Sequence, residues 1–167
     1  MSMQTSTTGS ERVVVGVDGS DYSTRALRTA AAFADALGLP LDAVNCWSKS
    51  ELYFAAEIPV GGFPEQGTLE DAATRVVEET ILRAFGTDRP RGLRTAIRYG
   101  HTAQVLVEES RTARLLVLGR RGGRGFPGLR IGSVSAACVA HAHCPVLVVN
   151  DETQDEQSDG LSHELKA

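Results

Sequence analysis

Residues 115–135 read LLVLGRRGGRGFPGLRIGSVS, and AACVA follows at 136–140. Four consecutive large apolar residues, Leu115 to Leu118, mark a strand buried on both faces of a sheet. Gly119 ends it. Glycine has no Cβ and tolerates positive φ, so Gly119, Gly122, Gly123 and Gly125 let the backbone turn tightly and bring N–H groups close to a ligand. Gly132 and Ser133 stand where a helix should begin, and the unpaired N–H groups and dipole of a helix start favour an anion such as phosphate. Ser133 and Ser135 add hydroxyl donors. The loop lacks the lysine of a Walker sequence, and its glycines are spaced more widely than in a G-x-G-x-x-G dinucleotide turn. The competing reading is a solvated surface loop whose glycines only permit a turn. A strand before the loop and a helix after it favour anion binding.

Outward from this stretch, the chain alternates strands with helices. Arg12 to Asp18, RVVVGVD, is a second continuous apolar strand closed by Asp18. Gly19, Ser20 and Asp21 form a turn and a helix cap, and Ala26 or Leu27, Ala30, Ala34 and Leu37 recur at helical spacing until Gly38. Leu41 to Trp47 restarts a strand. Ser48 to Gly67 has no periodicity and contains Pro59, Gly61, Gly62 and Pro64, as functional loops and lids often do. Leu69, Ala73, Val76, Val77 and Thr80 then trace a helix over about 68–85. Leu93 to Tyr99 is strand-like, and His101 or Thr102 caps a short helix carrying Ala103, Leu106 and Val107. The fourth helix runs over about 132–140, and Pro145 to Val149 is a last strand. Such alternation predicts a parallel sheet with helices on both faces, because right-handed crossovers place them there. Ligands of these sheets bind beyond the carboxyl ends of the strands where the strand order reverses. If the first and fourth strands are neighbours, Asp18 and the Gly119 loop converge there.

Composition narrows the function classes. The 167 residues are 42% hydrophobic and 23% charged, which is ordinary for one globular domain. No apolar run reaches the length of a membrane span, and the first residues lack the order of a signal peptide, so a cytoplasmic protein is expected. The net charge of −4 comes from the end of the chain: without residues 151–167, the 17 basic and 21 acidic residues become 16 and 15. Arg120, Arg121, Arg124 and Arg130 therefore concentrate positive charge in the glycine loop of a nearly neutral body, which suits a phosphorylated ligand. With 5% aromatic residues there is little for bases to stack on, so nucleic acid is ranked low. Cys46, Cys138 and Cys144 form no CxxC pair and each is expected in the core. His141, His143 and Cys144 cluster without a fourth metal ligand.

Taken together, these segments resemble the universal stress protein family, of the single-domain, nucleotide-binding kind. The resemblance covers about residues 12–150, between a flexible leader at 1–11 and an acidic, disordered tail at 151–167. It is carried by the family's G-x2-G-x9-G-[ST] pattern at Gly119, Gly122, Gly132 and Ser133, and by VVVGVDGS, GHTAQVLVEES and AHAHCPVLVVN. The resemblance implies a single three-layer α/β/α domain with a five-stranded parallel sheet, order 3-2-1-4-5, of the adenine-nucleotide alpha hydrolase-like kind. It also implies ATP with Mg2+ as ligand and a homodimer formed through the last strand, Pro145 to Val149. Gly16, Val17 and Asp18 would then lie along the adenosine, with Val44 meeting the adenine through its backbone. Gly119 and Gly122 would line the phosphates. Gly132, Ser133, Val134 and Ser135 would hold them from the helix start, and Leu118 and Arg121 occupy neighbouring contact positions.

Three functions remain open on the sequence. The leading expectation is an ATP-binding stress or signalling module. A slow ATP hydrolase is the second, for which Asp18 is the one candidate at the crevice although an adenosine contact explains it equally well. The third is a dimeric interaction protein with an empty crevice or another adenine nucleotide, such as cyclic AMP, bound in it. Acyl transfer is disfavoured, since no G-x-S-x-G elbow is present.

Overall fold

The computed structural model describes residues 11–48, 66–120 and 131–150. Among these residues five strands and four helices alternate: β1 Arg12–Gly16, α1 Asp21–Leu37, β2 Leu41–Trp47, α2 Gln66–Phe85, β3 Leu93–Tyr99, α3 Thr102–Glu109, β4 Ala113–Gly119, α4 Ser133–His141 and β5 Val146–Val149, with a 3₁₀ turn at Ser110–Thr112. The strands form one parallel sheet in the order β3-β2-β1-β4-β5, as the resemblance implied. Residues 1–10 of the leader, residues 49–65 of the segment after Trp47, the loop at 121–130 and the acidic tail lie outside the described residues.

Strand periodicity sorts the core into two halves. On one face Val13, Val15, Val17, Leu41, Ala43 and Val117 pack against Ala26, Leu27, Ala30 and Ala34 of α1 and Val77 and Ile81 of α2. On the other, Val14, Val44, Leu116 and Leu118 pack against Leu106 of α3 and Cys138 of α4. This is the three-layer arrangement. Leu37, expected on the apolar stripe of α1, is exposed, because the helix ends there in the left-handed cap at Gly38. Of the three cysteines expected in the core, Cys138 is buried, whereas Cys46 and Cys144 are half-buried. Burial pushes the Cys138 thiol up to about 11, and the neighbouring Cys144 adds to the rise.

On the face of the sheet covered by α3, charge is neutralised locally. Arg12 pairs with Asp42 at 2.8 Å and with Glu109, while Arg94 reaches Asp42 and Arg98 reaches Glu109, each at 2.6 Å. Two poorly exposed carboxylates thus share three guanidinium groups. These paired charges hold α3 to the sheet.

Candidate functional site

The strand order reverses between β1 and β4, which are neighbours from Arg12 paired with Ala113 to Val15 paired with Val117. Asp18 and Gly119 therefore leave the sheet side by side, as the sequence anticipated. The strand itself stops at Gly16 rather than Asp18, because the chain turns through Gly19 at φ +84 and Asp18 folds onto that turn. Asp18 Oδ1 accepts the Ser20 backbone N–H at 3.0 Å and the Ser20 hydroxyl at 2.6 Å. Ser20 in turn caps α1, its Oγ accepting the Ser23 N–H at 3.2 Å. One carboxylate thus organises the turn and remains exposed beside the crevice.

Other elements hold the same turn. The Val17 N–H donates to the Val44 carbonyl at 2.8 Å, and the buried Asn45 donates its side-chain amide to the Val17 carbonyl at 2.6 Å. From α2, Arg83 Nη2 donates to the Gly19 carbonyl at 2.6 Å. Neither Asn45 nor Arg83 was singled out in the sequence. Asn45 is a polar residue in an apolar run, LDAVNCW, and that is the signal by which it could have been found.

The opposite wall is the end of β4 and the start of α4. Arg120 donates its N–H to the Val149 carbonyl at 2.9 Å, and the Gly132 N–H donates to the Arg120 carbonyl at 2.7 Å, so the two ends of the glycine stretch meet. Ser135, 4% exposed, donates its hydroxyl to the Gly119 carbonyl at 2.7 Å. Gly132 is the N-cap of α4 with no side-chain cap bond. The N–H groups of Ser133, Val134 and Ser135 belong to the first turn, which has no helical acceptor for them. They face the end of the helix that carries partial positive charge. Ser133 is exposed there, and Val134 is half-buried against the core.

Several expected contacts acquire other duties. Gly119 has a packing reason to be glycine: a Cβ there would lie 2.7 Å from Tyr22 Cβ and 2.9 Å from the Tyr22 carbonyl carbon. At Gly16 a Cβ would lie 2.8 Å from Leu118 Cδ2. The Ser135 hydroxyl is directed to the loop neck, leaving its N–H in the first turn. The Val44 carbonyl is engaged by Val17 and its side chain is core, so its backbone acceptor is turned to β1. Two residues further out, the half-buried Cys46 stands on the same face nearer the carboxyl end of β2. Leu118 is buried beneath the crevice. Arg121 and Gly122 lie outside the described residues, as do Gly123, Gly125, Arg124 and Arg130.

Among the described residues no group of three His, Cys, Asp or Glu side chains could hold a metal. The His143 N–H donates to Ser110 Oγ at 2.9 Å, tying the turn after α4 to the end of α3. A cleft of about 580 Å³ lined by Ala34, Leu39, Pro40, Pro90 and Gly92 lies at the other end of the sheet, away from these groups. Among the described residues no helix is long and apolar enough to cross a membrane.

Residues 9–150 match the model of the universal stress protein family. The chain is 34% identical over 145 residues to the universal stress protein Rv2623 of Mycobacterium tuberculosis, covering 84% of this chain and 48% of that protein. It thus spans about half the length of the curated relatives it matches. Its fold resembles that of universal stress protein UspA from Lactobacillus plantarum, with a TM-score of 0.66 and 24% identity over 84% of this chain and 98% of that one. It also resembles a universal stress protein solved in complex with cAMP, with a TM-score of 0.61 and 25% identity over 83% of this chain and 96% of that one.

Proposed function

This chain belongs to the universal stress protein family, and from that premise we propose that it binds an adenine nucleotide, ATP with Mg2+, in the crevice between β1 and β4. The reading rests chiefly on the start of α4, where Gly132 supplies no cap and the first-turn amides of Ser133, Val134 and Ser135 are left for an anion. Across the reversal point Asp18 stands on a turn fixed by β2 and α2, placed to meet the sugar and base of a ligand whose phosphates lie on α4. These residues fit a nucleotide. Magnesium would enter with the phosphates, neutralising their charge.

Binding, rather than turnover, is the activity proposed. Fast phosphoryl transfer needs a positioned base or water-orienting residue. Asp18 already accepts two hydrogen bonds from Ser20 through one oxygen, which suits it to orient a ligand. The stress or signalling role follows from the family, with nucleotide occupancy altering the affinity of a homodimer for its partner. The dimer is proposed through β5, which among the described residues is an edge strand beside β4 and is half-exposed along all four residues.

The test is direct. Acid release from purified protein identifies any co-purified ligand, and calorimetric titration with MgATP, ADP and cyclic AMP is run beside phosphate release. Heat with MgATP and no phosphate release is the expected outcome. Sustained release abolished by Asp18→Ala would establish hydrolysis instead, and preference for cyclic AMP would reassign the ligand, an outcome the cAMP-bound relative makes specific.

A further inference from the structure

We propose that Asn45 is a positioning residue of the crevice, acting through Val17 to fix Asp18 in its nucleotide-facing orientation. The proposal rests on the adenine-nucleotide reading above. Asn45 sits on the β2 face that also carries Leu41, Ala43 and Trp47, and it is 8% exposed. A carboxamide so placed must find a partner or lose its hydration uncompensated. Its Nδ2 finds the Val17 carbonyl at 2.6 Å.

The position of that carbonyl gives the bond its meaning. The β1–β2 ladder ends at Gly16 paired with Val44, and the last backbone bond is Val17 N–H to Val44 carbonyl at 2.8 Å. Beyond it the chain leaves the sheet for the Asp18–Gly19–Ser20 turn. The Val17 carbonyl belongs to the peptide plane joining Val17 to Asp18. Fixing its N–H through Val44 and its carbonyl through Asn45 leaves that residue no rotation, so the direction in which Asp18 departs is set. Arg83 then holds the next carbonyl but one, at Gly19, from a half-exposed side chain. The buried bond is the stronger constraint, because water cannot replace it.

A purely structural asparagine would stabilise the fold and leave Asp18 indifferent to it, and the two roles are separable. The Asn45→Ala protein is compared with wild type for MgATP affinity by calorimetry, alone and in an Asp18→Asn background. Asn45→Ala is expected to raise the Kd at least tenfold in the wild-type background and less than twofold with Asp18→Asn. Equal losses in both backgrounds, or no loss in either, would overturn the proposal. Independently of any ligand, exchange of the Ser20 amide, which donates to Asp18 Oδ1, is expected to quicken at least tenfold in Asn45→Ala with the Ala30 amide of α1 unchanged. Should wild type bind no MgATP, the nucleotide reading falls and this exchange decides the clamp: an unchanged Ser20 amide sinks it. Should Asn45→Ala not fold, Asn45→Ser, one bond too short to reach Val17, is read in the same way.

Discussion

Gly119→Ala should destabilise the protein in the complete absence of nucleotide. The added Cβ would lie 2.7 Å from Tyr22 Cβ, 2.9 Å from the Tyr22 carbonyl carbon and 3.0 Å from its oxygen. Carbon pairs rest at about 3.5–4.0 Å, so roughly 1 Å of separation must be found. Two of the three atoms are backbone of the first turn of α1, and no rotamer change moves them. The helix must retreat as a body, and it carries Ala26, Leu27 and Ala30, all fully buried. Overpacking of this kind costs about 1–3 kcal/mol, or a fall of about 3–10 °C in Tm for a chain of this size. The assay is urea denaturation of protein stripped of ligand, since bound nucleotide at a hundred times its Kd would add about 2.7 kcal/mol and hide the effect. Gly38→Ala is the control: at φ +65 with nothing within 4 Å, it measures left-handed strain without a clash, about 1–2 kcal/mol. An unchanged urea midpoint for Gly119→Ala would refute the packing explanation and return that glycine to the ligand alone.

Arg12→Met leaves Asp42 and Glu109, whose side chains are 12% and 13% exposed, without their shared partner, and should cost about 3 kcal/mol by urea midpoint; Arg94→Ala, at the half-exposed rim, should cost under about 1 kcal/mol. The Cys138 thiol, raised in the folded state from 9.0 to about 11, binds its proton more tightly there than in the unfolded chain, so stability should decline as pH rises from about 9 to about 11. Urea midpoints of Cys138→Ala across that window should show a shallower decline; an identical slope would place the titration elsewhere. By light scattering the protein should be a dimer and Val148→Lys a monomer with unchanged circular dichroism, since a lysine on the β5 edge opposes strand pairing.

The elements most legible in the sequence are those with a single physical cause. Continuous apolar runs announced β1 and β4, because a strand covered on both faces has no polar side to show. The start of α1 was legible because Ser20 caps it and Gly38 closes it in the left-handed conformation. Less legible were positions with two possible causes. Gly119 satisfies a ligand pattern and a helix contact at once, and only the distance to Tyr22 separates them. Ser135 is a donor in either reading, and its partner, Gly119, is set by the way the loop neck closes. The register of β2 against β1 is hard to read, because β2 contains no glycine to mark it, and the bond from the Val17 N–H to the Val44 carbonyl is visible only in the fold. Asn45 and Arg83 act between elements distant in sequence, and such pairings carry no local periodicity.

The family's glycine pattern therefore divides into parts with different origins, and Gly132 is where the division can be tested. Gly132 has φ −71 and ψ 157, an extended N-cap conformation open to any residue, so backbone strain does not demand glycine there. For stability alone an aspartate would serve better: it would cap the α4 amides, complement the helix dipole and restrict the unfolded chain, together about 1 kcal/mol. For phosphate binding it is the worst choice, because its carboxylate would occupy the same amides and repel the ligand. Gly132→Asp should thus raise the urea midpoint of the ligand-free protein while weakening MgATP by at least a hundredfold, about 2.7 kcal/mol. Fold and function move in opposite directions only if those amides are kept vacant for an anion. A variant that is both more stable and fully competent to bind would place the phosphates elsewhere, and one that loses stability would show that Gly132, like Gly119, is glycine for packing.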